Sequence, residues 1–266
     1  MNQILDGARI LLCLSFMIYA SWSDYKTREV SNKVWVILGP LALALTGFQF
    51  LFFSSNPLQL LQSYVLSFAV TSVLAIAIFY AGGFGGADAK ALMCIALALP
   101  VYPGNLLSQP TGFVSPLFPI TIFTNGVLLG ALSVFYALFH NLLWKVKNRE
   151  GVFEGLETES LGRKISALFS GYKIKLSKLE NGHMYPLEDA EMNDEGEAER
   201  KLIVFPKDEE RDEIIARIRE NIKEENLEGG VWATPGLPLL IFITAGMIIA
   251  LSLGDIIWIL LSAILK

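Results

Sequence analysis

Six long apolar stretches decide what this chain can become. They fall near residues 4–22, 32–53, 58–81, 87–103, 117–144 and 236–264. A bilayer-spanning helix needs about 20 mostly apolar residues. Between Lys33 and Asp88 there is no charged side chain at all. The apolar residues are clustered rather than periodic, and they make up 53% of the chain, above the roughly 45–50% of soluble domains. In lipid a segment must satisfy its backbone groups internally, so such runs become helices. The expected fold is an all-α polytopic membrane bundle of six transmembrane helices. The first run has the look of a signal peptide, but no small-residue cleavage site follows it, so it is read as a retained helix.

Lysine and arginine in short loops mark the cytoplasmic side. Lys26, Arg28 and Lys33 follow the first run, Lys90 lies between the third and fourth, and Lys145, Lys147 and Arg149 follow the fifth. The segments 54–57 and 101–117 carry no charge. The alternation puts the N-terminus outside and the joints after runs one, three and five inside a cell membrane. Arg9 and Lys266 are single exceptions.

From about 145 to 231 the composition changes: charges become dense and apolar runs vanish. Three regions result: 1–144 with five spans, a soluble cytoplasmic insert over 145–231, and a sixth span in 232–266. The insert reads as a small α+β subdomain between helices five and six. Gly171–Leu179 alternates Tyr172, Ile174 and Leu176 with Lys173 and Lys175, which is a strand pattern. Asn181-Gly182 predicts a tight hairpin returning through 183–187. Residues 188–200 are acidic without apolar periodicity and read as a linker. Leu202–Phe205 predicts a further strand. Over 208–227, Ile214, Ile215, Ile218 and Ile222 share one helical face.

Several function classes fall away. The net charge is −5 and no basic patch offers itself to nucleic acid. Cys13 and Cys94 are the only cysteines and both lie inside apolar runs, so neither a zinc site nor a disulfide framework is expected. His140 and His183 lack metal-ligand spacing. No metal and no cofactor is expected.

Two aspartates carry the chemistry. Asp24 ends the first run and Asp88 opens the fourth, and the charge pattern puts both at the cytoplasmic face. A carboxylate at the edge of a hydrocarbon segment is costly and marks a functional site. Two at one depth can share a proton and activate water. Asp24 lies in Ser23-Asp24-Tyr25-Lys26-Thr27-Arg28-Glu29-Val30-Ser31-Asn32, where Ser31 or Asn32 is the better cap for the second helix. Asp88 follows Gly82, Gly83, Gly85 and Gly86, with Ala87 before it and Lys90 after it. Four glycines in five residues at membrane depth imply irregular backbone lining a wet cavity. Helix-end amides favour the anion of Asp88, while burial and Asp24 oppose it.

Together these motifs resemble the Gly-x-Gly-Asp class of intramembrane aspartyl proteases, and within it the type IV prepilin peptidases with their archaeal preflagellin (prearchaellin) peptidase branch. Trp232-Ala-Thr234-Pro235-Gly-Leu-Pro238 is similar to that branch's lead-in to its final helix. The resemblance implies that Asp24 and Asp88 are the catalytic pair. It also implies that Gly82, Gly83, Gly85, Gly86, Ala87 and Lys90 meet a preflagellin or type IV pilin-like precursor in the lipid bilayer. Ala87 stands where the family motif has glycine; small size is taken as the requirement. The tetracysteine zinc insert of methylating bacterial members is missing, so a peptidase without methyltransferase activity is implied. Two rival readings remain. A proton-coupled transporter or channel could use the same carboxylates, but no inverted repeat is evident. A membrane anchor presenting 145–231 as a docking module would leave both aspartates dispensable.

Overall fold

The charge-free stretch folds as the sequence demands. A computed structural model of the chain describes residues 1–83, 85–107, 113–148, 151–182, 184–192, 198–203, 211–221, 230–235 and 238–265. The first three runs are the helices α1 (Asn2–Thr27), α2 (Asn32–Phe52) and α3 (Pro57–Tyr80), each long and apolar enough to cross a membrane. The chain forms two compact units, Met1–Gly130 with Pro238–Lys266, and Ala131–Leu237.

In the first unit the fourth run is shorter than expected. Helix α4 (Gly86–Ala98) has 13 residues, which is about 20 Å of helix against a hydrocarbon core of about 30 Å. It stops because Leu99 precedes Pro100, a position biased against helical backbone; Leu99 has φ −132° and ψ 60°. Helix α5 (Phe118–Ala131) follows, and α6 (Ser133–Asn148) continues the chain; Phe118–Lys147 is again long and apolar enough to span.

The last run is also not one straight helix. It forms α10 (Leu239–Ser252) and α11 (Ile256–Ile264), bent by 62°. Gly254 takes φ +90° at the break, and Asp255 restarts the helix by accepting from the Trp258 amide. The buried Asn125 supplies bonds the break removes: its Nδ2 donates to Gly254 O at 2.8 Å and its Oδ1 accepts from Ile256 N at 2.9 Å. Among the described residues four stretches qualify as spans, or five with the bent pair counted as one. The protein is a mostly helical, multi-pass membrane protein with a small sheet region late in the chain.

The membrane unit packs around Met17, Leu38, Leu92, Ile95, Phe118, Ile243 and Met247. Cys13 and Cys94 are buried and unpaired by disulfide. Ser21 on α1 and Thr244 on α10 share a buried hydrogen bond of 2.8 Å.

The second unit holds α6, α7 (Leu161–Ser170), β1 (Tyr172–Ile174), α8 (Leu176–Asn181), β2 (Met184–Pro186), β3 (Glu188–Met192), β4 (Ala198–Leu202), α9 (Arg211–Asn221) and β5 (Val231–Pro235). Several sequence expectations change here. The strand predicted over 171–179 ends at Ile174 and gives way to α8. No hairpin forms at Asn181-Gly182, because β1 and β2 do not pair with each other; both flank β5, antiparallel, in the order β1-β5-β2. Lys173, which alternates with the apolar residues of β1, is itself fully buried. Of the segment read as a linker, the described residues pair as strands β3 and β4, with Glu188 opposite Leu202. Two of its acidic residues are buried in partnerships: Glu188 binds Arg200 at 2.7 Å and the Trp232 amide at 3.0 Å, and Asp189 binds Arg217 at 2.7 Å. Residues 204–205, the rest of the predicted strand, lie outside the described residues, as do His183 and Ile222. Ile214, Ile215 and Ile218 do share a buried face of α9. Trp232, expected in the lead-in to a helix, sits in β5 and stacks on Phe153 with ring centroids 5.0 Å apart.

Candidate active site

Asp24 occupies the last turn of α1, and the local sequence stops the helix just beyond it. Arg28 adopts a left-handed conformation (φ 58°) with its amide donating to Asp24 O at 3.0 Å. The Ser23 and Thr27 hydroxyls both donate to Glu29 O, at 2.8 and 3.0 Å, and hold the reversed chain. Ser31 then caps α2, its hydroxyl accepting from the Lys33 amide. That leaves the Asp24 carboxylate without capping work, and among the described residues no group hydrogen-bonds it. Lys26 lies over the Trp22 ring at 4.5 Å, a pairing of cation and amphipathic aromatic that suits a membrane boundary.

Asp88 is the third residue of α4. Its Oδ2 reaches back to accept from the Gly85 amide at 3.0 Å, satisfying one of the helix's orphan donors. Its other oxygen has no hydrogen-bond partner among the described residues. Gly82, with φ +76°, makes the turn out of α3, a conformation that costs little only for glycine. A Cβ on Gly85 would come within 3.2 Å of Asp88 Oδ2, so glycine there keeps the carboxylate clear. Gly83 lies in the turn, and Gly86 and Ala87 open α4. Ala87 is helical: Arg28 is the one non-glycine with positive φ among the described residues. The alanine at the motif's glycine position therefore imposes no backbone strain on Asp88.

The two motifs meet. Lys90 Nζ donates to Asn32 Oδ1 at 2.7 Å across 58 residues of sequence, tying the start of α4 to the start of α2, five residues after α1 ends. Both carboxylates are half-buried. Asn32 is the partner that sequence reasoning left as an alternative cap; its place in the first motif was the only signal of this role.

A family model described as the type IV leader peptidase family matches residues 11–143, half of the chain and both aspartates. The chain belongs to the type IV leader peptidase family. A second model, archaeal peptidase A24 C-terminus type II, matches residues 163–256. Among curated relatives, a preflagellin peptidase of Methanococcus voltae is 29% identical over 243 residues, covering 90% of this chain and 92% of the relative. Preflagellin peptidases of Methanococcus maripaludis and Methanocaldococcus jannaschii are each 25% identical over 90% of this chain, covering 92% and 91% of their own lengths. Membership in this family makes the protein a membrane protease of leader peptides.

Proposed function

We propose that this leader peptidase is an aspartic endopeptidase that removes the short basic leader from preflagellin or type IV pilin-like precursors at the cytoplasmic face. Asp24 and Asp88 are its catalytic pair. One observation carries the reading: the Lys90–Asn32 bond joins the two motifs while both half-buried carboxylates keep an oxygen free of other partners among the described residues. One aspartate, ionised, takes a proton from water as the water attacks the scissile carbonyl. The other, protonated, donates to the developing oxyanion; as the C–N bond breaks it takes that proton back, and the first aspartate passes the proton it took from water to the leaving amine. The pair titrates as a unit, so neither role belongs to one residue. No methyl transfer to the new N-terminus follows.

The substrate's hydrophobic helix stays in lipid, which brings the leader junction to the depth of the aspartates. Gly82, Gly83, Gly85, Gly86 and Ala87 leave room for an extended junction, and Lys90 steadies the site. In this reading six segments make the membrane domain, with α4 the short one and α10–α11 the sixth. The 145–231 insert lies on the cytoplasmic side. The names of the relatives support the precursor class.

The test is cleavage of a co-expressed precursor by Asp24→Asn and Asp88→Asn variants. Acid–base groups contribute about 10²–10⁴-fold, so each variant is expected to lose at least a hundredfold in rate while remaining in the membrane. Substantial cleavage by either variant overturns the pair.

A further inference from the structure

A helix only 13 residues long inside a bundle of spans leaves its far end buried, where the last carbonyls have no intrahelical donor. In this chain they have side chains instead. Ala98 O accepts from Arg9 Nη1 at 3.2 Å and from Thr46 Oγ1 at 3.2 Å. Two residues on, Pro100 O accepts from Ser67 Oγ at 2.8 Å and from the Phe118 amide at 3.2 Å. Arg9 belongs to α1, Thr46 to α2 and Ser67 to α3, so each long helix sends one polar side chain to the same end of α4. All three are at most 1% exposed.

Arg9 is the costly member. A guanidinium buried in a span needs compensation, and Asp6 gives it: the fully buried Asp6 carboxylate accepts from Arg9, from Gln49 Nε2 at 2.8 Å and from the Asn105 amide at 3.1 Å. Arg9 also lies 5.4 Å from the Phe50 ring centroid. A cation at the C-terminal end of α4 is of the sign that its dipole favours, as Asp88 is at the N-terminal end. Buried ion pairs often contribute no more stability than apolar side chains of similar volume, so packing alone does not account for this one.

We propose that Arg9, backed by Asp6 and assisted by Thr46 and Ser67, is a positioning residue that fixes the axial setting of α4 and so the place of Asp88 relative to Asp24. The helix is a rigid rod between them. A slip of one residue at the anchored end moves Asp88 by about 1.5 Å and turns it by about 100°, enough to spoil a shared water. The catalytic part of this inference rests on the aspartate pair proposed above; the positional part does not.

The experiment uses the full chain in membranes and the paired variant Asp6→Leu/Arg9→Met, which removes both charges together. Cleavage is measured as kcat and KM, and the product N-termini are read by mass spectrometry. In parallel, nitroxide labels at D24C and D88C, in a Cys13→Ala/Cys94→Ala background, report their dipolar coupling. Expected are a tenfold or greater fall in kcat at unchanged KM, product ends spread over neighbouring bonds, and weakened coupling. Arg9→Lys is expected to recover most of the rate. If the paired variant fails to accumulate, Thr46→Val/Ser67→Ala takes its place with the same criteria. An inserted variant with wild-type kcat, one product end and undiminished coupling overturns the proposal. Cleavage surviving in Asp88→Asn would instead sink the catalytic pair, with the label coupling still judging the anchor.

Discussion

Removing the Lys90–Asn32 bond should uncouple the two motifs without unfolding the protein. The bond is 2.7 Å long and both partners are exposed. A buried hydrogen bond to a charged group contributes about 1.5–3 kcal/mol, and exposed ion pairs about 0.2–1 kcal/mol. A half-solvated bond between an ammonium and an amide therefore sits near 1 kcal/mol. If that energy holds α4 beside the end of α1, its loss lowers the population of the competent arrangement about fivefold. Asn32→Ala is a clean perturbation, since Ser31 and not Asn32 caps α2. The assay is a double-mutant cycle on precursor cleavage with Asn32→Ala, Lys90→Met and the pair. Each single variant is expected to lose about fivefold in kcat, and the pair little more than either. Fold-losses that multiply in the double variant would show that Lys90 and Asn32 act separately and would refute the coupling.

Two further expectations follow from the geometry. Ala87→Gly restores the family's glycine but costs about 1 kcal/mol of helix propensity; detergent melting and cleavage should both decline, and a gain in cleavage would show that the motif needs glycine's backbone freedom. Glu188→Ala leaves Arg200 buried without its carboxylate and should destabilise the sheet unit by about 3–5 kcal/mol, read as new proteolysis within residues 131–237. Replacing Arg200 by Met in the same chain should restore most of the resistance.

The second and third spans were legible because nothing charged interrupts them, and the candidate site because two acids stand at the edges of apolar runs. What escaped the sequence has physical causes. The early end of α4 is set by Pro100 acting on Leu99, a local signal hidden inside an apolar run. The break before α11 was written as Gly254-Asp255, a left-handed glycine followed by a cap, and hydropathy averages over it. The β3–β4 pair was invisible to apolar alternation because the neighbours Glu188 and Asp189, on opposite faces of β3, are both buried, through Arg200 and Arg217. The β1-β5-β2 order depends on a pairing partner 57–61 residues from β1 and 47–51 residues from β2, which no turn rule reaches. Ala87, where the resemblance led to glycine, has helical backbone and so needs no left-handed freedom.

Helix α11 contributes no buried side chain to the bundle. Its nine residues extend about 14 Å, roughly half of the hydrocarbon core. Among the described residues its attachments lie at its start, where Asn125 and Thr124 grip Gly254, Asp255 and Ile256, the Phe113 carbonyl accepts from the Asp255 amide, and the Trp258 ring lies 5.0 Å from that of Phe113. Fluorescent tags or affinity handles therefore belong beyond those attachments, at the exposed residues 261–265. The same cargo spliced in at Gly254 would unfasten the seam between α5 and α10.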